Sequence, residues 1–163
     1  MDIEMVKLSS NNSGLTLIEL IVTMTILGIL AAMILPSVQM SSKRMKELEL
    51  RRNLRTIRTA IDEFKKASDS VAIPPTKNGY PETLDQLVDG VEFGDNVKSE
   101  KKKFLRRIPP DPFYPVLKDG KPDWGLRSFS DKPDSTSWGG DDVYDVYSNS
   151  DGTAIDGTKY KDW

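Results

Sequence analysis

The stretch LTLIELIVTMTILGILAAMIL, Leu15 to Leu35, carries a single charged residue, Glu19, among twenty-one. As an α-helix rising about 1.5 Å per residue it would span roughly 30 Å, the thickness of a bilayer's hydrocarbon core. A chain of 163 residues has too little other material to cover such a helix on every side, so the sequence predicts a membrane-spanning segment rather than a buried core helix.

Upstream lies the polar MDIEMVKLSSNNSG. A secretory signal is cut after its apolar run, whereas this arrangement puts the cut before it. Initiation at Met5 would leave a flank with one positive charge, Lys7, and no negative one, and is the start we expect.

Downstream, Pro36 removes a backbone donor and is expected to kink the helix without ending it. Leu50, Leu54, Ile57, Ile61 and Phe64 then recur at spacings of 4, 3, 4 and 3, the stripe of a helix packed on one side. The helix is predicted to run from Leu15 to Ala67, with a break from Ser68 to Pro75 set by Pro74 and Pro75. Pro81 to Val88 predicts a short helix, Lys101 to Arg107 is basic, and Ile108-Pro109-Pro110-Asp111-Pro112 is a stiff extended connector. Gly125–Phe129 and Asp142–Tyr147 alternate as strands do and predict a small antiparallel sheet that covers the stripe. The fold class is therefore α+β, divided into residues 1–14, a long helix over 15–67 that spans the membrane over 15–35, and a globular domain over 68–163.

Composition excludes much chemistry. The chain has no histidine and no cysteine, which removes imidazole bases, thiolate nucleophiles, His or Cys metal sites and disulfides. The net charge is −2, but 43–66 carries +5 and 111–163 carries −5, so the chain is electrically polarised. Were copies of the chain to pack side by side, these opposite charges would make the packing partly electrostatic, with Arg51, Arg52 and Arg55 taking part. The basic stretch lacks interleaved aromatics, so nucleic acid is not expected as a partner.

The junction Gly14-Leu15-Thr16-Leu17-Ile18-Glu19, opening an apolar run, resembles the prepilin cleavage site of type IV pilins and type II secretion pseudopilins. The family pattern has Gly before the cut, an apolar and N-methylated first mature residue, and Glu fifth, and Gly14, Leu15 and Glu19 fill these places. Leu15 replaces the more usual Phe. Pro36 falls where the family has the proline of its long helix. Phe104 to Pro112, Trp124-Gly125 and Tyr144-Asp145-Val146-Tyr147-Ser148 are similar to the major pseudopilins of type II secretion.

That resemblance implies a type IV pilin-like structural subunit, not an enzyme. It would be held in the inner membrane by one span with its C-terminal domain in the periplasm, and polymerise as a helical homo-oligomer into a periplasmic pseudopilus. The implied partners are a prepilin peptidase, an inner-membrane assembly platform and minor pseudopilins, with Glu19 and Pro36 as assembly residues. A type IV pilin for adhesion, motility or DNA uptake is the nearest alternative.

The end of the chain is rich in Asp, Asn, Ser and Gly, and calcium is the hard cation that carboxylate and carbonyl oxygens suit. The family resemblance implies a calcium loop here, with Ser148 and Asn149 as carbonyl donors and Asp151 and Asp156 as carboxylate donors. The loop is shorter than the family pattern, and the run is not an EF-hand. An enzyme using these carboxylates fits poorly, because no apolar pocket is evident around them.

Overall fold

Thr16 sets the start of the first helix: its hydroxyl accepts the amide of Glu19 at 3.3 Å and its carbonyl accepts that of Leu20 at 3.1 Å. Thr-x-x-Glu at a helix start is the capping-box pattern, with an acidic residue suited to the positive end of the helix. The helix, α1, spans Leu17–Asp69 as one element. In this computed structural model the described residues are 14–71, 76–93, 101–116 and 120–163, the side chains of 33–38 excepted. Residues 1–13 with the expected Met5 start, the Pro36 side chain and Pro74-Pro75 fall outside them; α1 continues through position 36. Contacts divide the chain into two units, Met1–Ser41 and Ser42–Trp163.

In the first unit every described side chain of the apolar run is exposed, Leu17 at 79% and Leu27 at 64% among them. The two interior threonines turn their hydroxyls back onto the helix, Thr23 to the Leu20 carbonyl at 2.9 Å and Thr25 to the Ile21 carbonyl at 2.7 Å. Such back-bonding satisfies a hydroxyl without water. Among the described residues no helix is long and apolar enough to cross a membrane, the described side chains of the run stopping at Ala32.

In the second unit the predicted stripe is buried in full: Leu50, Leu54, Ile57, Ile61 and Phe64, joined by Ala60. It packs with Leu87, Trp124, Val143, Val146, Ala154 and Tyr160 in one core. Phe64, Phe93 and Phe104 close one end as three rings with centroids 5.3 to 5.9 Å apart.

The short helix α2, Asp85–Asp89, is smaller than expected because its front winds more tightly. Gln86 and Leu87 amides bond to the Thr83 and Leu84 carbonyls, three residues back, and Gln86 Oε1 accepts the Glu82 amide at 2.8 Å. Strands β1, Gly125–Arg127, and β2, Asp145–Tyr147, pair antiparallel in the register Gly125 with Tyr147 and Arg127 with Asp145. Both are shorter than predicted. The amide of Ser128 donates to Asp131 Oδ2 at 2.7 Å and that of Phe129 to Asp142 Oδ1 at 2.8 Å, so two carboxylates take the donors that would have extended β1. Val143 donates to the Pro81 carbonyl instead of continuing β2. A single 3-10 turn, Tyr160–Asp162, ends the chain.

Candidate functional site

Gly14, Leu15 and Thr16 precede the helix and have no regular structure, which leaves the Gly14–Leu15 bond in exposed backbone. A Cβ built on Gly14 would meet nothing within 4 Å. Among the described residues nothing packs against position 14 closely enough to demand glycine there. Glu19 stands in the first turn, exposed, and among the described residues its carboxylate has no partner. Thr16, the residue that organises this junction, was not singled out by the sequence reading, although Thr-x-x-Glu was its signal.

The four residues assigned to calcium sit in a C-terminal loop whose shape comes from hydrogen bonds. Ser148 is fully buried and donates its hydroxyl to Asp111 Oδ2 at 2.5 Å, while the same oxygen accepts the Ser150 amide at 3.1 Å. Asn149 follows, half-buried. Asp151 is 95% exposed at its side chain, with Lys161 Nζ 3.7 Å away. Beyond it Thr153 bridges Lys159, Ala154 donates to the Thr158 carbonyl, and Asp156 stands at the tip of the resulting hairpin. Gly157, φ +88°, makes the turn in a region that other residues rarely adopt.

Asp156 Oδ1 accepts both the amide and the hydroxyl of Thr158, at 3.0 and 2.6 Å, and Oδ2 accepts Arg51 at 3.2 Å. These bonds, those from Thr158 first, hold its carboxyl below the usual range. Calcium takes about six to eight oxygens. Here each of the two assigned carboxylates faces a cation of its own chain, an arrangement that does not fit an ion between them. Among the described residues no group of three or more Asp or Glu side chains gathers closely enough to hold a metal.

One face of α1 holds this segment. Lys43 donates to the Thr153 carbonyl at 2.7 Å, Glu47 accepts the Ile155 amide and the Tyr160 hydroxyl at 2.9 and 3.0 Å, and Arg51 reaches Asp156. Two turns on, Arg58 donates to Asp145 at 2.7 Å, to the Val146 carbonyl at 3.0 Å and to the Trp163 carbonyl at 2.9 Å. Residues 43, 47, 51 and 58 share a face because a helix returns every 3.6 residues. Burial first, then the bond to Glu47, pushes the Tyr160 hydroxyl up to about 12.

Arg51, expected to take part in lateral packing, also has a partner within its own subunit, as does Arg58, because the acidic segment folds back onto this helix face. Asp111, Asp131, Asp142 and Arg58 were not predicted as structural residues. Arg58 beside the apolar Ile57 and Ile61 was the one available signal.

Residues 9–35 match the model of the prokaryotic N-terminal methylation motif, which takes in Gly14, Leu15 and Glu19. The type II secretion system core protein G of Pseudomonas aeruginosa is 34% identical over 102 residues, covering 62% of this chain and 68% of the relative. The chain belongs to the type II secretion system core protein G family. Core proteins G of Aeromonas hydrophila and Klebsiella pneumoniae are 28% and 27% identical over 113 and 134 residues, covering 67% and 80% of this chain and 75% and 91% of those proteins. No solved structure matches the chain. The long helix on a two-stranded antiparallel sheet is the pilin-like α+β fold that the family resemblance implied.

Proposed function

We propose that this chain is the major pseudopilin of a type II protein secretion system, a structural subunit that polymerises into a periplasmic pseudopilus. The observation that carries the reading is the apolar helical run from Leu17 to Ala32, exposed on every side and opened by a methylation-type junction. Such a surface is stable only under lipid or under copies of itself. The run serves both: the precursor spans the inner membrane over 15–35 with its C-terminal domain in the periplasm, and in the filament neighbouring helices replace the lipid.

A prepilin peptidase cuts after Gly14 and methylates the new amine of Leu15. Glu19 then acquires its partner. A charge in an apolar run is costly, by as much as roughly 2.5 to 3.5 kcal/mol at the bilayer centre, and the amine of Leu15, from its own or a neighbouring chain, offsets that cost and sets the axial register. Before the cut that amine is locked in a peptide bond, so assembly waits for processing. Nothing in this sequence resembles a phosphate-binding loop, so a separate ATPase supplies the energy at an inner-membrane assembly platform, and minor pseudopilins are partners in the same assembly.

Gene deletion should abolish release of the secreted proteins, and complementation with the wild-type gene should restore it. Complementation with Glu19→Ala should restore processed subunit but neither filaments nor secretion. Normal secretion from the deletion strain, with surface pili lost instead, would favour a type IV pilin.

A further inference from the structure

Arg51 of α1 and three side chains at the end of the chain form a closed ring of contacts. The Arg51 guanidinium lies over the Trp163 ring at 4.1 Å and donates to Asp156 Oδ2 at 3.2 Å. Asp156 Oδ1 accepts the Thr158 hydroxyl at 2.6 Å, and that hydroxyl oxygen accepts Trp163 Nε1 at 2.7 Å. The ring ties the helix, the hairpin tip and the last residue together. A bound ion would join such a loop by the same logic, through one centre of positive charge facing several oxygens.

The centre here is a guanidinium. Its planar fork serves a carboxylate and its face an aromatic ring at the same time, which an ammonium could not do. On the opposite shoulder of the hairpin Lys161 faces Asp151. We infer that cations of this chain, Arg51 above all and Lys161 beside it, stand where calcium would otherwise close the C-terminal loop, so that the subunit folds and assembles without the ion.

The inference does not depend on which filament the subunit builds: an error about secretion would appear in cargo release, whereas an error here appears in melting temperature. The test uses the full processed chain in detergent, melted with calcium chloride and with a chelator, followed by tryptophan fluorescence. A site for calcium at a hundredfold excess over its Kd would raise the melting temperature by on the order of 10 °C. The expected shift is none, and a clear rise with calcium, or a one-to-one binding heat by titration calorimetry, overturns the inference. Arg51→Gln should lower the melting temperature by about 2–5 °C, equally with and without calcium. An unchanged value overturns the role of Arg51. Should Arg51→Gln not fold, Thr158→Ala opens the same ring more gently and is read in the same way.

Discussion

Helix α1 contains two apolar stretches that meet opposite fates. From Leu17 to Ala32 the apolar residues surround the helix and all are exposed. From Leu50 to Phe64 they form one stripe, and all of it is buried. Secondary structure is the same in both, and what differs is the completeness of the fold around it. The stripe leaves a polar face on which Lys43, Glu47, Arg51 and Arg58 can grip the chain's own C-terminus. The first stretch offers no such face, and under the proposed function its cover comes from lipid or from other copies of the chain.

The sharpest way to break this contrast is to make the same truncation in both stretches. Leu54→Ala should cost about 2–5 kcal/mol of unfolding free energy, because it opens a cavity in a filled core. Leu27→Ala should leave the melting of the globular part unchanged while lowering the yield of filaments. Equal effects on melting would remove the distinction.

Within the buried region, Asp142→Ala should cost about 3 kcal/mol, since it strands the Ser128 hydroxyl, the Phe129 amide and the Asn78 amide without their acceptor. Denaturant unfolding measures it. Gly125→Ala comes next at about 1–3 kcal/mol, because its Cβ would fall 2.3 Å from the Tyr147 ring and force the strand pair apart.

The smallest effect is a pH dependence. The Tyr160 hydroxyl is raised from 10.0 to about 12, so the fold favours its protonated form. The resulting stability is complete below pH 10 and is lost as pH rises through about 12. A melting temperature that falls across this window should fall less steeply in Tyr160→Phe, and identical slopes would deny Tyr160 any part in the alkaline loss.

The stripe was legible because spacings of 4 and 3 are the imprint of a helix on one neighbour, and the junction was legible because Gly14, Leu15 and Glu19 are adjacent in sequence. The strand ends were not. Asp131 and Asp142 capture backbone amides by side-chain geometry, which no alternating pattern encodes. The grip of Arg58 on Asp145 joins residues 87 positions apart, and that of Arg51 on Asp156 joins residues 105 apart. The sequence showed that the C-terminal segment is rich in carboxylates but not that Arg51 and Lys161 lie beside two of them, since those contacts depend on the fold.

The central claim is that the exposed apolar stretch of α1 is covered by other copies of the chain. The protein has no cysteine, so a single Leu27→Cys substitution reports on that stretch without background. Purified, detergent-free filaments of this variant should be treated with a water-soluble maleimide, before and after denaturation. The account predicts that labelling is blocked in the filament and complete once it is denatured. Equal labelling of intact and denatured filaments would contradict it.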